Sequence, residues 1–173
     1  MEFNRFAKYI LTLVIFPALL ILGGCSYSFT GASVPAHLKS ISIPLFSDRS
    51  GSGEFNLGEK VTNSLIQKFV DDNTLHVSDR LNSDAILDGS IISLTDAPSV
   101  VSGGDNISSR RLTITIHIVY KDLIKRKTIF EKNFSNYGDY AVGDNIVTAR
   151  QSAIDSAIEL ITEDILLGVV SNW

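Results

Sequence analysis

The sequence predicts a two-layer α/β sandwich of the α+β kind: a four-stranded mixed sheet with two helices on one face, in the order β-α-β-β-β-α. Two observations carry this expectation. Leu112, Ile114, Ile116, Ile118 and Tyr120 share one face of a strand, and Arg111, Thr113, Thr115, His117 and Lys121 share the other. On either side of this strand-rich middle lie two amphipathic stripes. Leu57, Val61, Leu65 and Phe69 recur every four residues, and Ala149, Ala153, Ile154, Ala157, Ile158, Ile161 and Ile165 repeat the pattern. Each helix has one apolar stripe, so both are expected on the same sheet face. The other face is then solvated, or covered by something outside this chain.

Residues 1–24 read as a lipoprotein signal peptide. Arg5 and Lys8 form a short basic start, diluted by Glu2, and an apolar core of 13 residues runs from Ile10 to Leu22. That core is shorter than the ~20 residues a membrane-spanning helix needs. Leu22-Gly23-Gly24-Cys25 closes the segment on the chain's only cysteine, with small residues that fit a peptidase cleft. The expectation is cleavage before Cys25, whose thiolate takes a diacylglycerol and whose freed amine takes a further acyl chain such as palmitate. At about 0.8 kcal/mol per buried CH₂, two or three chains anchor a protein durably where one does not. The competing reading is an uncleaved helix with an incidental cysteine. Pro17 and the Ser, Gly and Thr after Cys25 argue against it. Residues 25–38 are then an acylated start and tether, and residues 39–173 one domain.

Along that domain, Ile41, Ile43 and Leu45 alternate with Ser40, Ser42 and Pro44, which predicts a half-buried strand. Pro44 lacks an N–H, so the strand lies at a sheet edge or ends there. Asp48 to Gly53 is turn chemistry. A helix follows from about Glu54 to Asp72, then a possible short strand at Leu75 to Val77, then a strand at Ala85 to Leu94. Residues 95–109, with Pro98 and Gly103-Gly104, read as a polar loop. After the strand at 112–120, Thr128 to Phe134 returns antiparallel around Lys125-Arg126-Lys127. The last helix runs from about Ile146 to Val170, with Asp144 as its expected cap. A right-handed crossover makes the first two long strands parallel.

Composition narrows the function classes. Removing 24 of the 173 residues leaves 149, enough for one real core. Residues 1–24 carry net +1, so a chain of net −4 becomes a mature part of net −5, with no global signature of nucleic-acid binding. An acylated Cys25 leaves no free thiol, no disulfide and no cysteine nucleophile. His37, His76 and His117 fall on the tether, a short strand and a polar strand face, without partners at metal-ligand spacing. No Gly-x-Ser-x-Gly turn appears, and Gly51-Ser52-Gly53 is not followed by the Gly-Lys-Ser/Thr of a phosphate loop. The sequence therefore points away from an enzyme, and neither a metal nor a cofactor is expected beyond the covalent lipid groups on Cys25.

Charge is the more informative signal. Between Arg110 and Lys132 lie seven basic residues against Asp122 and Glu131, a hairpin of net +5 on an acidic domain. Arg110, Arg111, Lys121, Lys125, Arg126 and Lys127 are candidates to hold phosphate groups through charge-assisted hydrogen bonds. A solvated turn whose lysines discourage edge pairing is the plainer alternative. Arg111 and Lys121 stand ten residues apart, about 33 Å at roughly 3.3 Å per residue. They cannot clamp one small ligand together, so two clusters at opposite ends of the hairpin are expected.

These residues resemble the lipopolysaccharide-assembly lipoproteins of the LptE family. Cys25-Ser26-Tyr27-Ser28-Phe29 is similar to the start of the mature family members. Ile41 to Phe46 with Asp48 to Gly51 is similar to their first strand and turn, and Glu59, Thr62, Asn63, Leu65 and Ile66 to their first helix. Ser83 to Ile91, Arg111 to Ile116, and Asn133 to Ser135 through Gly138 to Tyr140 resemble the later strands, in order. The turn Leu123 to Lys127 departs from the family in lacking its common Gly. Lys132 also shares a face with Phe130 and Phe134, which predicts a bulge or an incompletely covered edge.

The resemblance implies a non-enzymatic partner of the LptD β-barrel. Such a protein plugs the barrel, assists its folding and contacts lipopolysaccharide on its way to the outer leaflet. It implies an outer-membrane, lipid-anchored protein on the periplasmic side or within the barrel lumen, and Ser26 is compatible with outer-membrane sorting. The second class considered is a stand-alone periplasmic lipid- or anion-binding module. The third, a lipoprotein hydrolase, has no catalytic constellation in the sequence.

Overall fold

The computed structural model describes residues 34–102 and 106–171. The expected signal peptide, Cys25 and most of the tether lie outside the described residues. Among those described, the elements in chain order are β1 (Ser40–Ser42), β2 (Ser47–Asp48), α1 (Leu57–Asp72), β3 (His76–Val77), β4 (Ala85–Ser102), β5 (Asn106–Asp122), β6 (Lys127–Ala141) and α2 (Ile146–Val170). The sheet order is β3-β1-β4-β5-β6, with β2 added to β4. β1 is parallel to both neighbours, while β4, β5 and β6 follow one another antiparallel. The predicted architecture is present: the short strand expected at Leu75 to Val77 is β3, and β2 is an addition.

Hydrophobic burial explains why both helices take one face. Leu112, Ile114, Ile116, Ile118 and Tyr120 of β5 form one core cluster with Val61, Leu65 and Phe69 of α1 and Ile154, Ile158, Ile161 and Ile165 of α2. Where backbones must approach, the side chain is absent. A Cβ on Gly138 of β6 would stand 2.0 Å from the Ala153 carbonyl oxygen of α2. One on Gly58 of α1 would stand 2.4 Å from the Phe46 carbonyl oxygen.

Several sequence expectations are corrected. β1 is internal and so not an edge, but the other expectation for it holds: it ends at Ser42, before Pro44 would remove a donor. The chain rejoins the sheet as β2, held to α1 because the Phe46 N–H donates to Thr62 Oγ1 at 2.9 Å. Leu45, read as inward, is exposed, and α1 begins at Leu57 instead of Glu54. Residues 95–102 and 106–109 are strand and not the expected loop, since β4 continues to Ser102 and β5 starts at Asn106. Beyond Ile91, β4 pairs with β5 alone, and an edge tolerates Pro98. Register shifts at Ile91/Ser93 and Pro98/Val100 absorb the irregularity. β6 likewise runs past Phe134 to Ala141, and Asn145, not Asp144, precedes α2.

Tyr120 carries a testable oddity. It is 2% exposed, its ring lies 5.5 Å from that of Phe130, and its hydroxyl has no partner among the described residues. Burial, joined by the nearby Asp122 charge, pushes its ionisation up to about 12. Tyr120→Phe removes an unsatisfied polar atom without changing shape, so urea denaturation should show a gain of about 1 kcal/mol. A loss would mean that the hydroxyl has a partner.

Candidate functional site

The face of the sheet away from the helices is a polar ladder. On β5 it presents Arg111, Thr113, Thr115, His117 and Lys121, opposite Asp139, Tyr137, Ser135, Asn133 and Thr128 of β6. Cross-strand pairs organise it. Thr115 Oγ1 and Ser135 Oγ stand 3.1 Å apart, and His117 meets Asn133 Oδ1 at 2.8 Å and Glu131 at 3.2 Å. Arg111 grips both oxygens of Asp139 at 2.8 Å, and its guanidinium lies 3.7 Å over the Tyr137 ring. Neither helix covers this face.

Arg110 points to the opposite side, beneath the helices. Its Nε donates to Asp96 Oδ1 at 2.8 Å and its Nη2 to the Asp96 carbonyl at 3.0 Å. The Tyr140 hydroxyl donates to Asp96 Oδ2 at 2.7 Å. Arg150 of α2 adds a contact of 3.4 Å to Asp96 and one of 2.8 Å to Glu54. This network ties β4, β5, β6, α2 and the approach to α1 together at one end of the sheet. Burial works against the charge on Asp96. Hydrogen bonds from Tyr140 and Arg110, with the charges of Arg110 and Arg150, outweigh it and hold the carboxyl below its ordinary value. A lowered native pKa adds stability above the unfolded pKa, and that stability is lost as pH falls through the native value. Stability should therefore fall as pH drops below about 4. Asp96→Asn should flatten part of that dependence; an unchanged acid limb would show that Asp96 carries none of it.

The other end of the hairpin is built around two aspartates. Asp122 is buried, accepts from the Lys125 N–H at 2.7 Å and meets His37 Nε2 at 2.6 Å. Burial opposes its charge, but the Lys125 N–H and His37 win and lower its pKa. Asp84 accepts from the N–H groups of Lys39 and Ser40 at 2.8 and 3.1 Å, while its carbonyl accepts from the Leu123 N–H at 2.8 Å. The segment leading into β1 is thus fastened to the β5–β6 turn. Lys121 reaches Asp88 at 3.4 Å. Lys125, Arg126 and Lys127 are exposed and make no ion pair among the described residues.

The six basic residues singled out in the sequence therefore fall into separate places. Arg110 and Arg111 are adjacent in sequence but face opposite sides, and each is held by a carboxylate. Lys121 is paired more loosely, and three charges without a partner among the described residues crowd the turn. Lys132 lies 5.0 and 4.6 Å over the rings of Phe130 and Phe134 on the outer strand β6. That is the incompletely covered edge, while the strand irregularity sits at Tyr120/Lys121. The fastening roles of Asp84, Asp96, Asp122 and His37 were not foreseen. Apart from the local bond of Asp122 to the Lys125 N–H, their contacts span 14 to 85 residues of sequence, and no local pattern reports them.

Among the described residues no group of three metal-ligating side chains assembles, and no helix is long and apolar enough to cross a membrane. The fold and its polar outer face define a two-layer α/β sandwich domain whose β5–β6 outer face is left uncovered by the helices among the described residues. The family model for LptE, described as lipopolysaccharide-assembly, matches residues 38–167. The chain belongs to the LptE lipopolysaccharide-assembly family. Solved structures repeat the fold at low identity. A hypothetical protein from Chlamydia trachomatis is 8% identical with a TM-score of 0.60, over 76% of this chain and 95% of that one. A protein from Xanthomonas campestris is 13% identical with a TM-score of 0.60, over 78% and 85% of the two chains. Rare lipoprotein B from Shewanella oneidensis is 13% identical with a TM-score of 0.52, over 75% and 92%. No curated protein sequence matches the chain significantly.

Proposed function

We propose that the protein is an outer-membrane lipoprotein, anchored through Cys25, that serves as plug and assembly partner of an LptD-like β-barrel in lipopolysaccharide transport. The observation that carries this reading is the open polar sheet face. Its Thr, Ser, Asn and His ladder suits a hydrated barrel wall, whereas a membrane or a second apolar core would not tolerate it. Family membership supplies the lipopolysaccharide connection, and a relative of the same fold is itself a lipoprotein. No catalytic role is proposed.

Tagged purification from detergent-solubilised membranes tests the reading. A large outer-membrane β-barrel recovered in near-equal amount supports it. Recovery of the protein alone, under conditions that preserve other barrel complexes, favours a stand-alone periplasmic lipid- or anion-binding module. The unpaired cluster at the turn is the observation that keeps this second reading in view.

Within the main reading, Arg110, Arg111, Lys121, Lys125, Arg126 and Lys127 are the proposed contacts to lipopolysaccharide phosphate. Arg110, Arg111 and Lys121 must first give up a carboxylate, so the turn should dominate binding. Charge reversal at Lys125, Arg126 and Lys127 together should weaken binding to purified lipopolysaccharide by at least tenfold, since each charge-assisted hydrogen bond contributes about 1.5–3 kcal/mol. Unchanged affinity would retire the phosphate contact and leave the plug role standing.

A further inference from the structure

We infer that the β5–β6 turn is a membrane-surface contact, in which Ile124, Lys125, Arg126 and Lys127 rest on the anionic phospholipid headgroups of the leaflet that holds the Cys25 anchor. The inference rests on the reading of Cys25 as acylated.

Position is the first argument. His37 is bonded to Asp122 at 2.6 Å, and Asp84 joins Lys39 and Ser40 to Leu123. The chain therefore meets the domain beside the turn. Cys25 and His37 are separated by 12 steps of chain, which reach at most about 43 Å when fully extended. A tether of that reach lets this end of the sheet, where the chain enters the domain, meet the leaflet that holds the anchor.

Chemistry is the second argument. Ile124 is 55% exposed at the turn, flanked by three exposed basic side chains. The one acid of the turn, Asp122, is buried and occupied by His37 and the Lys125 N–H, so it does not offset them. Arg126 holds a left-handed φ of 55°, a position where glycine is unstrained and arginine costs about 1–2 kcal/mol. A charge kept there at that cost is consistent with a use for it. An exposed aliphatic side chain among basic ones is the pattern of a peripheral contact, with the apolar group at the headgroup level and the charges on phosphate. Asp71 and Asp72 close the last turn of α1, which leads into β3 at the far edge. They restrict the contact to the β5–β6 corner.

Each basic side chain near an anionic surface contributes about a fivefold factor. Three are weak on their own, but a lipid tether holds them at high effective concentration. The anchor supplies attachment, and the turn supplies orientation. Lipopolysaccharide phosphates share this chemistry, so the experiment separates the two sources.

The full protein, purified from membranes, is placed in vesicles of phosphatidylcholine with or without phosphatidylglycerol, each containing a spin-labelled lipid. With Cys25 consumed by acylation, single fluorophores are attached at Thr128→Cys beside the turn or Val147→Cys at the opposite end. Quenching is expected at 128, stronger with phosphatidylglycerol, and absent at 147. Lys125→Gln, Arg126→Gly and Lys127→Gln together should lower the docked-to-undocked ratio on the order of 100-fold. Arg126→Gly alone relieves its backbone, so its fivefold loss cannot come from misfolding. Equal quenching at both sites, insensitivity to these substitutions, or quenching only after lipopolysaccharide is added to the vesicles overturns the proposal. Mass spectrometry of the N-terminal peptide in the same sample separates the underlying readings. An acylated protein without quenching refutes the contact alone. An unacylated protein still drawn to phosphatidylglycerol refutes the anchor and upholds the contact, and one that does not bind refutes both.

Discussion

Gly138→Ala should destabilise the protein by about 3 kcal/mol or more, the upper part of the range for overpacking a core. The added Cβ would lie 2.0, 2.7 and 2.9 Å from the carbonyl oxygen, carbonyl carbon and Cα of Ala153. All three are backbone atoms, so no side-chain rotation relieves the clash. α2 must move as a body, and Ala153, Ile154, Ala157, Ile158 and Ile161 fasten it to the sheet along its length. Gly143→Ala is the matched control, since nothing lies within 4 Å of its Cβ. It should change stability by less than about 0.5 kcal/mol. Urea denaturation of the two variants decides the matter. A Gly138→Ala protein as stable as its control would mean that α2 does not approach β6 this closely.

Phe46→Ala should cost about 3–5 kcal/mol, the usual range for removing a buried phenyl ring. Phe46 is 2% exposed, and its ring occupies the space that a side chain on Gly89 of β4 would take, 2.3–2.5 Å from that Cβ. Its backbone carbonyl meanwhile sits against Gly58, and its N–H is bonded to Thr62. One residue therefore joins β4 to α1 through both its ring and its backbone. Filling the gap from the other side tests this arrangement. Gly89→Val should be strongly destabilising alone and much less so combined with Phe46→Ala, a coupling expected only of side chains that compete for one space. Simple additivity in thermal unfolding would place the ring elsewhere.

The strand at 112–120 and both helices were legible because burial imposes its period on the residues: every second position of β5, every third or fourth of α1 and α2. Family resemblance and this periodicity led to the same architecture by separate routes. The stretch 95–109 misled for a physical reason. Its end of the hairpin extends along a sheet edge, so Ser, Pro and Thr are tolerated there and no alternation is enforced. The first strand misled in the opposite sense. Ile41, Ile43 and Leu45 looked like one alternating strand, yet only Ser40–Ser42 pairs, and Leu45 turns outward beyond Pro44.

The basic residues were legible as a group, but their division was not. Sequence spacing separated Arg111 from Lys121 along the strand. It could not show that Arg110 and Arg111 each have a carboxylate partner of their own, Arg110 at Asp96 and Arg111 at Asp139. Nor could it show that Asp122 turns inward and leaves the turn's three bases without an ion-pair partner among the described residues. Pairing of charges is a property of tertiary contacts, and only the fold reveals which charges remain available.

The insertion of β1 between β3 and β4 has a consequence for the time course of folding. The first strand to be made finds its parallel neighbours only after residues 76 and 77, then 85 and 86, have followed it. No early hairpin can shelter it, because both of its pairings close long loops, and such non-local contacts are slow to form. A chain delivered amino terminus first through a pore must therefore carry Ile41 unpaired until about a third of the domain has emerged. During that interval the apolar amino-terminal strand is open to holding by a chaperone. The local β4–β5–β6 meander, which needs only neighbouring turns, is then expected to form first and present β4 as the template on which β1 closes the sheet.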